Sequence, residues 1–521
     1  MLKGVCAGMP APRVAVIGAG MAGLTAALDL AVGGARTTVI ERDTVAGGKL
    51  REVSIAGRSI DAGPTVFTMR AVFEELFAAA GAQLEAYLPL KRAEILARHA
   101  WSETERLDLF ADRARTIEAI GEFAGAREAG RYAQFARDAS RIYQTLDGAF
   151  LRRQRAGPLA LVRRVGLARL PDLMRIRPFE TLWRALSQYF RDPRLQQLFG
   201  RYSTYCGSSP FQAPATMMLI AHVEQNGVWT VADGMHRIAD ALVQLARERG
   251  AELRLATEAV DVVARKGRVS GVRLASGEFV PVDAVIVNAD VAALASGRFG
   301  KDAARAVPAG TVARRSLSAV TWALVAPTSG FPLSRHTVFF SPDYAAEFEQ
   351  LFGQRQLPAW PTVYVCAQDR DTGDAPPPTQ PERLLCLVNA PANGDSARYD
   401  CAEIEQCEQR TFTFLERCGL QVKRQSERTI VTTPAEFERR FPGTGGGLYG
   451  QATHGWRASF NRLGARTRLR GLYLAGGSVH PGPGLPMAAL SGRLAAASVL
   501  QDLPSGGRWR LRATPGGTST R

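Results

Sequence analysis

The feature that most limits what this chain can fold into is the run Gly18-Ala19-Gly20-Met21-Ala22-Gly23. It stands between an apolar, β-branched stretch at residues 14–17 and an alanine- and leucine-rich stretch at 24–32, which read as a strand and a helix. A second short strand at 37–40 ends on Glu41, with Arg42 beside it. Three glycines at this spacing carry little information by themselves. Between a strand and a helix, with a carboxylate closing the next strand, they form the dinucleotide-binding fingerprint. Gly18 permits the tight turn, Gly20 lets the backbone approach a pyrophosphate, and Gly23 lets helix pack on strand. Met21 and Ala22 then offer free N–H groups and the positive end of the helix dipole to the phosphates. Glu41 is placed to accept hydrogen bonds from ribose hydroxyls, with Arg42 at the same ligand.

Two further segments point to FAD rather than NAD. Gly47-Gly48-Lys49 lies just past the ribose carboxylate, where backbone and Lys49 can meet the phosphate side of a larger, extended cofactor. Residues 235–245 read as a helix and 252–255, 260–265, 269–274 and 284–287 as strands, the second lobe of a flavin domain, with Val260 expected at the cofactor. Near the C-terminus a strand at 472–474 runs into Ala475-Gly476-Gly477, and Pro481-Gly482-Pro483-Gly484-Leu485-Pro486 leads into a helix at 488–500. A glycine-rich strand end feeding a helix aims N–H groups at a ligand. Gly476, Gly477, Gly484, Leu485, Pro486 and Met487 are therefore expected around the ring system. The predicted fold class is α/β, a Rossmann-like FAD-binding fold with an inserted α+β substrate domain.

A chain of 521 residues is too long for a single core. Residues 53–60 read as a hairpin turned at Gly57, and 71–221 as mostly helical. Strands of a second sheet are expected at 317–325, 362–367 and 384–388, a proline-rich loop at 374–381 and a helix at 402–417. The expected division gives residues 12–70, 225–300 and 445–502 to a discontinuous FAD domain. Residues 71–224 and 301–444 go to a substrate- and membrane-binding domain, with flexible termini at 1–11 and 505–521. Three uncharged stretches, 202–221, 316–334 and 471–492, are broken by Gly and Pro or diluted by Ser and Thr, so no spanning helix is expected. Residues 1–12 do not read as a secretory signal. The seven cysteines form no Cys-x-x-Cys pair and have no histidine at zinc spacing. Reduced thiols in a cytoplasmic protein, without a metal site, are expected.

With these residues set out, the chain resembles the bacterial carotenoid desaturases, the phytoene-desaturase family of flavoproteins, over nearly its whole length. The resemblance rests first on residues 16–23, Glu41, 47–49 and Asp61-Ala62-Gly63-Pro64-Thr65. It continues through Gly227-Val228-Trp229, Gly234-Met235, Asn288-Ala289-Asp290 and Thr433-Pro434 to residues 472–477 and 480–491. The first block is shared by many flavin amine oxidases, and the last is more selective. Lys49 stands where family members commonly carry arginine. The usual Gly-x-Gly-x-Pro-Gly-Val is here Gly482-Pro483-Gly484-Leu485-Pro486-Met487-Ala488. That version resembles the branch acting on hydroxylated acyclic carotenoids, the 1-hydroxycarotenoid 3,4-desaturases.

The resemblance implies a glutathione-reductase- or amine-oxidase-like fold with Gly63, Pro64 and Thr65 at the cofactor. It also implies oxidation of a saturated C–C bond to C=C in an acyclic carotenoid, a hydride going to the flavin and a proton leaving the adjacent carbon. A polyene can delocalise the developing charge, so no catalytic triad is expected. His480, beside Pro481, is the candidate for tuning the flavin or shuttling the proton. No second nucleotide fingerprint exists, so oxygen or a membrane quinone is the expected electron acceptor. Stepwise phytoene desaturation, carotenoid cis–trans isomerisation, flavin amine oxidation and a non-catalytic basic binder remain as alternatives.

The formal net charge of +16 comes mostly from arginine and calls for an anionic partner. Residues 150–201 concentrate it, with twelve arginines against Asp172, Glu180 and Asp192. Leu159, Leu167, Leu170, Met174, Phe179, Trp183, Phe190 and other apolar residues lie between them. A cationic face opposite such an apolar one reads as an interfacial helix on an anionic membrane surface, at the entrance for a lipid-soluble substrate. A solvated face over a core stripe is the alternative. No recognition motif accompanies the charge, so no nucleic acid partner is expected. The expected location is cytoplasmic and peripherally membrane-associated.

Overall fold

Four consecutive apolar residues, 14–17, can be buried on both faces only in a parallel sheet covered by helices. The computed structural model of the chain describes residues 11–503 other than 167–172, 174, 175, 309–313, 372, 374–377, 397 and 398, and it shows that arrangement. Arg13–Ile17 is the central strand of five, in the order Leu472–Leu474, Ala284–Val287, Arg13–Ile17, Arg36–Ile40, Glu252–Arg254. Every neighbouring pair is parallel. The helix after the glycine turn, Met21–Val32, is buried at nine of its twelve positions. An apolar helix buried on almost every side belongs inside a layer rather than on it, and this one packs on the sheet and on the C-terminal helix Leu485–Asp502. The turn itself needs its glycines. Gly18 has φ +96°, and a Cβ on Gly23 would lie 2.0 Å from the Gly18 carbonyl oxygen.

A second sheet has seven strands, in the order Thr429–Thr432, Ser318–Ala326, Glu382–Ala390, Val363–Ala367, His336–Phe339, Ile95–Ala100, Arg106–Phe110. All its pairs are antiparallel except His336–Phe339 with Ile95–Ala100. Two of these strands lie inside the stretch expected to be mostly helical. Ile95–Ala100 is buried at all six positions, Arg98 and His99 included, so it offers no alternation to read. Arg98 is satisfied across the hairpin by Asp108, at 2.6 Å.

The parallel sheet draws its strands from residues 12–70, 225–300 and 445–502, and the seven-stranded sheet from 71–224 and 301–444. The hairpin Glu52–Ile55 and Arg58–Asp61 turns at Gly57 and leads from one to the other. No helix among the described residues is long and apolar enough to cross a membrane. Residues 1–10, the tail from 504 and most of the proline-rich loop lie outside the described residues.

Candidate active site

One cavity of about 1630 Å³ runs from the carboxyl ends of four parallel strands to one face of the seven-stranded sheet. Ile17, Glu41, Asn288 and Gly476 mark those strand ends, where α/β folds bind their ligands. Tyr364, Leu385 and Leu387 line it on the other side. Two helices begin at this cavity, Met21–Val32 and Leu485–Asp502, and no side chain caps either N-terminus. Their first turns, at Gly20, Met21 and Ala22 and at Gly484, Leu485, Pro486 and Met487, line the space. Uncapped N-termini present unpaired N–H groups and positive dipole ends to an anion.

The floor between them is kept clear by glycine. A Cβ on Gly20 would stand 2.9 Å from the Asn288 amide nitrogen, and one on Gly48 would stand 3.2 Å from the Gly20 α-carbon. Glu41 is fixed at its strand end by accepting from the Ala19 N–H at 2.6 Å and the Asp43 N–H at 2.9 Å. Its carboxylate keeps acceptor capacity for a ribose. A narrow glycine floor, two uncapped helix starts and a strand-end carboxylate fit the dinucleotide portion of FAD. Gly63, Pro64 and Thr65 form a further stretch of the wall, with Gly476 and Gly477 across the strand ends.

Of the expected residues, Gly23 and Val260 lie off the cavity, while Arg42 and Lys49 line it with their cations engaged by backbone carbonyls. Gly23 packs beneath the turn and does not line the cavity. Val260 is exposed and outside it, while its neighbours Thr257, Glu258 and Ala259 line it. Lys49 lines the cavity, but its ammonium donates to the Leu448 carbonyl at 2.6 Å and lies over the Phe441 ring. Burial pushes its pKa below the usual lysine range. Arg42 donates to the carbonyls of Arg439 and Arg440. Both cations therefore hold the 439–448 loop over the cavity.

His480 is corrected as a candidate catalyst. It is 2 % exposed, does not line the cavity, and directs Nε2 at the carbonyl oxygens of Phe150 and Arg153, at 3.0 and 2.9 Å. That geometry ties the C-terminal loop to residues 150–153. Burial lowers its pKa, so the ring is neutral.

Sequence reasoning undervalued two residues. Asn288 donates to the Gly18 carbonyl at 3.2 Å and braces the glycine turn from below. Arg462, 3 % exposed, donates to the Gly477 carbonyl at 3.0 Å and to that of Gln451 at 2.7 Å, which fixes the second glycine turn. Nothing in the pattern around a lone arginine in a loop announces this role.

Residues 150–201 are not one interfacial helix. Phe190 is fully buried and so is not available to a membrane, and half-buried Trp183 packs on Phe211 at 4.6 Å. Arg152 pairs with Glu75 and Asp147, and Arg194 with Glu105 and Asp192. Among the described residues of this segment Leu159 is 81 % and Phe179 69 % exposed, and Phe179 meets Trp456, 37 % exposed, ring to edge at 5.3 Å. Phe179 and Trp456 line the cavity, and Leu159 follows Pro158, which also lines it. Arg155, Arg163, Arg164 and Arg457 are exposed in the same segments. Leu167, Arg169, Leu170, Asp172, Met174 and Arg175 lie outside the described residues. No cluster of metal-ligating side chains occurs among the described residues.

Comparison with known proteins gives a consistent result. The sequence profile described as "Flavin containing amine oxidoreductase" matches residues 21–500. A hydroxyneurosporene desaturase of Rubrivivax gelatinosus is 54% identical over 510 residues, covering 98% of this chain and 97% of that one. One from Cereibacter sphaeroides is 41% identical, covering 95% and 99%. Among solved structures, an oxidoreductase from Methanosarcina mazei shares the fold with a TM-score of 0.60 at 14% identity, covering 94% of this chain and 100% of that one.

Proposed function

Because the chain belongs to the carotenoid desaturases of the hydroxyneurosporene branch, within the flavin-containing amine oxidoreductases, we propose that it desaturates a 1-hydroxylated acyclic carotenoid at the 3,4 bond. The observation that carries this reading is the continuity of the cavity, from a glycine-floored dinucleotide site into a long apolar chamber. The chamber is walled by Leu146, Phe150, Leu161, Ile176, Met217 and Phe460. Such walls exclude water and hold a hydrocarbon chain extended.

FAD supplies the acceptor for the hydride removed from one carbon. The protein's part is to orient the saturated bond at the wall formed by Gly63, Pro64 and Thr65 and to keep solvent out. A proton leaves the neighbouring carbon, and the polyene spreads the positive charge, so a strong side-chain base is unnecessary. His480, engaged by two carbonyls outside the cavity lining, is not placed to take that proton. The electrons go on to oxygen or a quinone.

The cavity mouth supports docking on an anionic membrane. Leu159, Phe179 and Trp456 enter the lipid boundary while Arg155, Arg163, Arg164 and Arg457 meet the headgroups. The substrate then passes from lipid into the chamber without crossing water.

The test supplies purified enzyme and FAD with phytoene or 1-hydroxyneurosporene in lipid. Conversion of the hydroxylated carotenoid to a product with one more conjugated double bond is expected. Conversion of phytoene to coloured products, with the hydroxylated substrate untouched, would reverse the assignment.

A further inference from the structure

A chamber built for a hydrocarbon has no use for charge, yet this one contains an arginine. Arg201 opens the short helical turn Arg201–Cys206 and lines the cavity. Its guanidinium lies over the rings of Tyr205 and Tyr364, 5.1 and 5.6 Å from their centroids. It donates one side-chain hydrogen bond, to the Tyr205 hydroxyl at 3.1 Å, and forms no ion pair among the described residues. The Tyr205 hydroxyl donates onward to Glu224 at 3.0 Å, and Tyr202 donates to the other Glu224 oxygen. Arg201 and Glu224 are thus linked through a phenol. Their charges balance, while most guanidinium N–H groups stay without an acceptor.

A second group nearby is also unsatisfied. Tyr344 lines the same cavity, is 7 % exposed, and its hydroxyl has no hydrogen-bond partner among the described residues. Tyr344 and Arg201 thus line one continuous space. A buried hydroxyl without a partner has lost its hydrogen bonds to water, and a hydrocarbon ligand that seals out water leaves that cost standing. One oxygen atom on the ligand removes it. Because Glu224 already balances Arg201, the vacancy suits a neutral oxygen, which can accept from Arg201 and exchange a hydrogen bond with Tyr344.

The position matters as much as the chemistry. Tyr364, beneath Arg201, shares a hydrogen bond of 2.7 Å with Thr65, which follows Gly63 and Pro64 at the flavin wall. An oxygen held at Arg201 therefore sits close to where the bond is oxidised. In the substrate proposed above, the hydroxyl-bearing carbon is two bonds from the first carbon of the reacting pair. We propose that Arg201 and Tyr344 receive the C1 hydroxyl of the substrate and, by fixing that oxygen, set which C–C bond faces the cofactor. This rests on the desaturase reading and adds to it the residues that select the hydroxylated substrate and its bond.

The test compares 1-hydroxyneurosporene with neurosporene, which has the same skeleton without the oxygen, using FAD-loaded enzyme in lipid. Wild type, Tyr344→Phe and Arg201→Met are measured for kcat/KM, for affinity from the change in carotenoid absorption on binding, and for the position of the new double bond. In Tyr344→Phe, kcat/KM and affinity for the hydroxylated substrate fall about tenfold, the effect of one buried hydrogen bond, with neurosporene unchanged. In Arg201→Met the loss is larger and the double bond is misplaced in part of the product. A wild type with no preference between the substrates overturns the proposal and leaves the desaturase reading intact, as does an unchanged preference in Tyr344→Phe. A wild type that converts neither overturns both. Flavin content and melting temperature identify a variant that has lost its fold, and Tyr344→Phe, which removes only an unpartnered oxygen, decides the matter if Arg201→Met does not fold.

Discussion

The hydroxyl groups of Thr65 and Tyr364 meet at 2.7 Å, and with them the two halves of the molecule. Thr65 follows the hairpin that leaves the parallel sheet, whereas Tyr364 belongs to the strand Val363–Ala367 of the seven-stranded sheet. A second clasp lies alongside. The Asp61 N–H donates to the Gln368 side-chain oxygen, and the Gln368 amide returns a hydrogen bond to the Asp61 carbonyl, both at 2.9 Å. The wall assigned to the flavin and the chamber assigned to its substrate are therefore held in fixed relation by buried polar contacts.

The cofactor placement is tested at Gly20. In Gly20→Val the side chain meets Asn288 and fills the floor where a pyrophosphate would lie. Purified protein should carry no flavin while keeping its circular dichroism spectrum. A folded variant with a normal flavin spectrum would contradict the placement.

His480 is expected to matter for stability and not for turnover. Replacement by alanine removes the bridge to Phe150 and Arg153 and leaves two carbonyls short of a donor, at a cost of about 1–3 kcal/mol. Thermal unfolding should shift down while kcat at saturating substrate is kept. A large fall in kcat with unchanged melting would restore the histidine to the chemistry.

How far the sequence could be read depends on what kind of signal each element leaves. The central strand Arg13–Ile17 was legible because its apolar run 14–17 is unbroken and ends at Gly18, and the helix Met21–Val32 because its alanine- and leucine-rich run ends at Gly33. The strand Ile95–Ala100 was not, since Arg98 and His99 are buried in it and satisfied only by partners remote from the pattern. For the same reason Arg201 counted with the surface arginines. Its charge is balanced by Glu224 through Tyr205, a relation formed by folding. Val260 missed by one residue, a register error that period-two strands make costly.

Membrane docking should depend on the residues at the cavity mouth. Leu159→Ser with Phe179→Ser is expected to weaken binding to anionic vesicles in co-sedimentation assays even at low salt. Added salt should weaken the wild type as its exposed arginines are screened, with a Debye length of about 8–10 Å at physiological ionic strength. Phe190→Ser should lower stability instead, because that side chain is internal. Equal binding to neutral and anionic vesicles would rule out the electrostatic part.

Glu347 gives the fold a pH-dependent stability. Burial raises its pKa from 4.5 to about 7, against hydrogen bonds from the Thr362 N–H and hydroxyl and the charge of Arg201, with Tyr344 beside it. The folded protein holds a proton that the unfolded chain has released, so this stabilisation is complete below pH 4.5 and is lost as pH rises through about 7. Glu347→Gln should flatten the decline in denaturant midpoint between about pH 5 and about pH 8. An unchanged slope would mean that Glu347 is ionised throughout.

The central claim is that this protein removes two hydrogens from a hydroxylated carotenoid by means of its own flavin. The direct measurement mixes FAD-loaded enzyme anaerobically with 1-hydroxyneurosporene in lipid vesicles and follows flavin absorbance and carotenoid mass together. The flavin should bleach in step with a product lighter by two hydrogen atoms and more conjugated, one equivalent for each enzyme. A product of unchanged mass, or a flavin that stays oxidised while the carotenoid is altered, would contradict it.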